Sequence, residues 1–308
     1  MGSTGPRRTE VREKGLVGVL FSPPSEGPHP TVIVLGGSEG GVPERAAAAL
    51  AGEGFAAMAT AYFGVDPLPR HLVEIPLEYF AGVIEWLRGR EEVDRRRLGV
   101  LGRSRGGELA LLLASTYPDA IGAVAAYVAS GVVWQATPAD PAAMPSAPRS
   151  SWTLGGRPVP FVPAARPTAA EGAVFLSFLR GEPVAFRPFF ERAMGQREAV
   201  AAAAIAVEKI NGPVLLLSGG ADRLWPSGDF AEAVMRRLAD YGHPFPYRHL
   251  HYAEAGHLIG VPGTMYGPGG HRFGPILMGG GREPDEAASR DAWPTVVSFL
   301  RTALRAAA

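Results

Sequence analysis

The sequence predicts an α/β fold: a mostly parallel central sheet with helices on both faces. Three observations carry this. Stretches of strand length alternate with stretches of helical periodicity through the first half of the chain. That is the order which builds parallel sheets through helical crossovers. Several of the strand stretches are apolar at every position rather than at every second one, as strands buried on both faces are. Finally, Gly102-Arg103-Ser104-Arg105-Gly106 stands between a strand-like run and a run of strong helix formers, a tight strand-to-helix turn.

The elements follow in order. Residues 15–21 read as an early strand, closed by Pro23-Pro24 and Pro28-His29-Pro30. Residues 31–35 form the next strand and run into Gly36-Gly37-Ser38-Glu39-Gly40-Gly41. Pro43 suits the first turn of a helix reaching Leu50. Residues 55–61 are a strand. Pro76 opens an amphipathic helix with Leu77, Phe80, Ile84 and Leu87 at helical spacing. Residues 98–101 and 121–127 are strands. Residues 134–167 break the rhythm with eight prolines that preclude regular structure. Such a stretch is a lid over a site or a disordered excursion. Residues 174–179 and 186–206 read as helices. The alternation then resumes with a strand at 213–218, a helix at 229–241 and a strand at 247–252. A helix at 291–304 closes the chain with Val297, Leu300 and Leu304 on one face. The reading is one domain over residues 1–308, with residues 134–200 inserted as a cap or lid.

Composition narrows the function classes. Lys+Arg and Asp+Glu both number 30, so no net charge argues for nucleic acid or an anionic membrane surface. Cysteine is absent, which excludes disulfides, thiolate metal sites and a cysteine nucleophile. The first residues are polar, with no apolar leader segment, and no run reaches membrane-spanning length. A cytoplasmic protein is expected. Arginine so far outnumbers Lys14 and Lys209 that the bias, with abundant Ala, Gly and Pro, is associated with high-GC bacterial genomes.

The chemistry is expected at the turn. Gly102 and Gly106 remove the Cβ atoms that would collide in so sharp a bend, which presents the Ser104 hydroxyl at the carboxyl end of its strand. The same bend leaves the N–H of Arg105 at a helix N-terminus without an intrahelical partner, free to hold an oxyanion. In an open parallel sheet, reactive groups gather just past the carboxyl ends of the strands. Asp222 follows the 213–218 strand and His257 follows the last strand. The order Ser104, Asp222, His257 is that of α/β-hydrolase triads. His271 competes as base and Asp229 as acid, although Asp229 looks more like a first-turn helix residue. The second oxyanion donor is expected in the glycine loop after residues 31–35, at Ser38 or else at Gly37. That loop is not a phosphate cradle, because it lacks a Lys-Ser/Thr pair and carries Glu39. The Arg105 side chain either attracts an anionic substrate or, more simply, lies in solvent.

These residues resemble a known family. Gly102-Arg103-Ser104-Arg105-Gly106-Gly107-Glu108 is similar to the nucleophile elbow of the acyl-CoA thioesterase/bile acid-CoA:amino acid N-acyltransferase C-terminal domain, a branch near the dienelactone hydrolases. Residues 207–213, followed by Ser218-Gly219-Gly220-Ala221-Asp222-Arg223-Leu224-Trp225-Pro226-Ser227, resemble its acid-bearing segment. Gly256-His257 resembles its catalytic histidine, and Gly279-Gly280, Ala287 and Ala292-Trp293 its tail. The resemblance implies a serine hydrolase acting on a small-molecule ester or thioester of a hydrophobic acyl group, with no cofactor and no metal. It leaves a homo-oligomer open. Acyl transfer to an amine or alcohol is the second reading, and a non-catalytic binding protein on the same scaffold the third. The amidating members resemble a cysteine enzyme, whereas Ser104 favours hydrolysis. The mammalian members carry an N-terminal β-sandwich for which this length leaves no room. The proline-rich 134–167 segment departs from the family pattern.

Overall fold

The structure is a computed structural model and describes residues 5–136, 147–165, 168–266 and 274–304. The chain opens with β1 (Arg7–Glu13) and β2 (Leu16–Ser22), an antiparallel hairpin. Its two turn residues, Lys14 and Gly15, both have positive φ, as a twisted two-residue turn requires. Then come β3 (His29–Leu35), α1 (Glu44–Gly52), β4 (Ala56–Ala61), β5 (Ile75–Pro76), α2 (Glu78–Arg88), β6 (Val93–Arg103), α3 (Arg105–Thr116) and β7 (Ile121–Tyr127). Between β7 and β10 lie β8 (Trp152–Leu154), β9 (Arg157–Pro158), α4 (Ala169–Leu179), α5 (Arg187–Ala193) and α6 (Arg197–Ala203). The chain closes with β10 (Val214–Gly219), α7 (Ser227–Asp240), β11 (Tyr247–Tyr252) and α8 (Arg282–Ala303).

Eight strands form one sheet in the order β1-β2-β4-β3-β6-β7-β10-β11. From β4 to β11 every pairing is parallel; β2 pairs antiparallel with both neighbours. Successive side chains of a strand point to opposite faces, and both faces here are covered. Ile33, Val100, Val124 and Leu216 pack under α2, α3 and α7. Val32, Val34, Leu101 and Leu217 pack under α1 and α8. A third, smaller core joins α5 and α6 to α7 through Val132, Trp134, Val162, Ala193, Ala203, Trp225 and Phe230.

Four expectations are corrected. The prolines of 134–167 do not preclude regular structure: β8 and β9 join β5 in a three-stranded sheet. Pro158 sits in β9, which pairs only with β8, so no ladder donor is lost on its far side. The stretch 186–206 is two helices, α5 and α6, parted near Gly195. Pro76 belongs to β5 rather than to a helix. The closing helix begins at Arg282, and β1 adds an edge strand whose charged sequence buries only Val11.

Candidate active site

Ser104 stands between β6 and α3 with φ 56° and ψ −121°. The glycines around it are sterically required. A Cβ on Gly102 would lie 2.0 Å from the Gly106 carbonyl oxygen, and one on Gly106 would lie 2.1 Å from the Gly36 carbonyl oxygen. The strand and the helix therefore close on each other, and the hydroxyl stands at the turn.

His257 Nε2 lies 2.8 Å from Ser104 Oγ, and His257 Nδ1 lies 2.8 Å from Asp222 Oδ2. All three residues are buried. The acid is oriented by its own loop: Asp222 Oδ1 accepts the N–H groups of Leu224 at 2.9 Å and Trp225 at 3.2 Å. That leaves Oδ2 for the imidazole. In the tautomer with its proton on Nδ1, the imidazole donates to Asp222 and presents the Nε2 lone pair to the Ser104 hydroxyl. The indole of Trp225 meets the imidazole edge-on at 5.5 Å. The His257 N–H donates to the Met278 carbonyl at 2.9 Å, which ties the histidine loop to the start of the last helix. Asp285, in the first turn of α8, strengthens this tie: its carboxylate accepts the N–H of Gly256 and, at 2.6 Å, the hydroxyl of Tyr266. Burial pushes the Asp285 carboxyl up from the usual range.

The glycine loop abuts the nucleophile. A Cβ on Gly37 would lie 3.3 Å from that of Ser104, but the Gly37 N–H donates to Glu39 Oε1 at 3.0 Å. Ser38 is exposed. Glu39 also pairs with Arg103 at 3.3 Å, and Arg103 donates to the His257 carbonyl at 3.3 Å. Arg105 is not in solvent. The insertion covers it, and its guanidinium pairs with Glu108. Asp229 is a largely exposed residue in the first turn of α7, 3.6 Å from Arg187. His271 lies outside the described residues. Asp285 goes unread in the sequence, and Glu39 and Glu108 are read only as members of the glycine loop and of the elbow motif. Glu108 alone gave a local signal, as the single carboxylate in the apolar run of α3. Among the described residues, no three His, Cys, Asp or Glu side chains are grouped to hold a metal ion. No described helix is long and apolar enough to cross a membrane.

A family model described as "BAAT / Acyl-CoA thioester hydrolase C terminal" matches residues 75–306. Acyl-coenzyme A thioesterase 1 of Rattus norvegicus is 32% identical over 306 residues, covering 97% of this chain and 66% of that protein. The mitochondrial acyl-coenzyme A thioesterase 2 of the same organism is also 32% identical, covering 97% and 61% respectively. The chain thus spans just under two thirds of the length of these relatives. Among solved structures, a dienelactone hydrolase-like promiscuous phosphotriesterase from metagenomic libraries superposes with a TM-score of 0.56 at 17% identity, covering 97% of this chain and 99% of that one. That likeness concerns the fold, which is the α/β-hydrolase fold with a mostly parallel central sheet.

Proposed function

The chain belongs to the BAAT / acyl-CoA thioester hydrolase C-terminal family, and from that premise we propose that it is a serine hydrolase cleaving thioesters or esters of hydrophobic acyl groups. The observation that carries the reading is the unbroken hydrogen-bonded line from Asp222 through His257 to Ser104, with both links at 2.8 Å. In this mechanism His257 Nε2 takes the Ser104 proton as Oγ attacks the acyl carbonyl. Asp222 holds the imidazole in the required tautomer and stabilises the imidazolium. The tetrahedral oxyanion accepts N–H bonds from Arg105 and from Ser38. The engagement of Gly37 with Glu39 favours Ser38 over its neighbour. Collapse breaks the bond to the thiolate or alkoxide, which leaves with the proton from His257. Water, deprotonated by the same imidazole, then attacks the acyl-enzyme and releases the acid. Residues 134–200 form the cap of this single domain, and the substrate is a small-molecule acyl thioester or ester.

Ser104→Ala is expected to abolish turnover of p-nitrophenyl esters and acyl-CoA while the circular dichroism spectrum stays native. Asp222→Asn is expected to lower kcat by roughly 10³–10⁴-fold through the wrong tautomer. Undiminished turnover in Ser104→Ala would overturn the nucleophile assignment. Recovery of an acyl amide when glycine or taurine is added would move the reading to acyl transfer.

A further inference from the structure

Two arginines flank Ser104, and each has a carboxylate of its own. Arg103 pairs with Glu39 at the rim. Arg105 pairs with Glu108 one turn into α3, and this second pair is almost wholly inside the protein, at 7% and 0% exposure. Taking two charges out of water is costly, and a hydrophobic pair of similar volume serves stability as well or better. Such a pair persists where further hydrogen bonds satisfy both groups, and here they do. Glu108 Oε1 accepts the indole N–H of Trp152 at 2.8 Å. Arg105 donates to the Trp134 carbonyl at 3.1 Å and to the hydroxyl of Ser151. Trp134, Ser151 and Trp152 all belong to the inserted region, so the pair rivets that region to the first turn after the nucleophile. Trp152 is itself fully buried in the main core. The riveted edge is therefore held against the residue that follows the nucleophile.

The side chain held in this way belongs to the residue whose main-chain N–H the reading above assigns to the oxyanion. We propose that Glu108, acting through Arg105, is a positioning residue that fixes the oxyanion donor against the riveted edge. The inference rests on the serine-hydrolase reading above. An oxyanion donor works in the transition state more than in the ground state, so loosening it lowers kcat and leaves KM nearly unchanged.

Protonation enters as an independent readout. Burial pushes Glu108 up to about 7, against the opposing pull of Arg105 and Trp152. The other titratable group facing the pair is Tyr62, just after β4, whose buried phenol is driven up. Beyond it stand Glu39 and Arg103. The inserted region faces Glu108 with neutral donors only, the Trp152 indole and the Trp134 main chain.

The test is Glu108→Gln, which keeps the volume and the acceptor for Trp152 and removes the charge. On a p-nitrophenyl ester kcat is expected to fall about 10- to 100-fold, with KM changed by less than about twofold. An ionisation of Glu108 near pH 7 is expected in the wild-type kcat profile and is expected to be missing from that of Glu108→Gln. Should a lone buried guanidinium prevent folding, Arg105→Met with Glu108→Gln removes both charges and is expected to show the same kcat loss. Wild-type kcat and an unchanged pH profile in a folded variant would overturn the proposal. A wild-type protein that neither turns over esters nor reacts with a fluorophosphonate probe would overturn the serine-hydrolase reading itself. A fall in kcat, in a wild type that the probe labels, supports both.

Discussion

The φ of 56° at Ser104 lies in a region that L-residues rarely occupy, and such a conformation persists only where its surroundings over-determine it. Three backbone hydrogen bonds do so. The Ser104 N–H donates to the Tyr127 carbonyl at 2.9 Å, and its own carbonyl accepts from Gly107 at 2.9 Å and Glu108 at 3.0 Å. The rest is steric, and it gives a prediction. Gly106→Ala places a methyl 2.1 Å from the Gly36 oxygen, a main-chain atom that no side-chain rotation can move. The expected cost is at least about 1–3 kcal/mol, read as a lower urea midpoint, together with lost labelling by a fluorophosphonate probe. A wild-type midpoint would show that the turn has slack. At this scale Ser104, Asp222 and His257 are legible in the sequence, because each stands a few residues past the end of a recognisable strand. The ion pair of Glu108 with the Arg105 side chain is not. Their partners, Trp152 and Ser151, lie beyond the proline-rich break, and nothing local announces the contact.

The elements differ in how openly they declare themselves. β7, most of β10 and the second halves of β3 and β6 are apolar runs buried on both faces, whereas the first half of β6, with Asp94, Arg95 and Arg96, gives no such signal. β1 carries five charged side chains in seven residues and buries only Val11. It is held by its ladder to β2, and its charges suit a sheet edge that must not pair further. The last helix shows the limit of local rules. Pro294 argues against a helix running through it, yet α8 spans Arg282–Ala303. Ala288, Ala292, Val296 and Leu300 recur every fourth residue on its buried face, and that packing overrides the break. Leu300 is fully buried and approaches the Cα of Gly99 on β6, where a Cβ would lie 3.5 Å from it. Leu300→Ala is expected to cost about 2–5 kcal/mol in urea unfolding, and an unchanged midpoint would mean that α8 is anchored elsewhere.

Across the whole molecule, two apolar layers sandwich one sheet, and the buried carboxylates sit where those layers meet the site. Asp285 and Glu108 are both pushed up by burial. A carboxyl whose native pKa exceeds its unfolded value binds more protons when folded, so its stabilising contribution is complete at low pH and is lost as pH rises through the native value. Glu208 is opposite: the Arg237 guanidinium hydrogen-bonded to it lowers its pKa, and its contribution is lost on acidification. Asp285→Asn is therefore expected to flatten the decline in Tm as pH rises above the ordinary aspartate range of about 4. An unaltered slope would show that Asp285 does not titrate in that window. Local spacing along the chain suffices for the parallel sheet, the strand-to-helix turn and the order of serine, acid and histidine, because burial on two faces and a collision-free bend each demand particular residues at fixed positions. What surrounds them is set by tertiary contacts: the β5-β8-β9 sheet, an internal ion pair behind the nucleophile and an aspartate under the histidine loop. Those features depend on which distant segments desolvate one another, and that is settled by packing in three dimensions, where neighbours along the chain carry no mark of it.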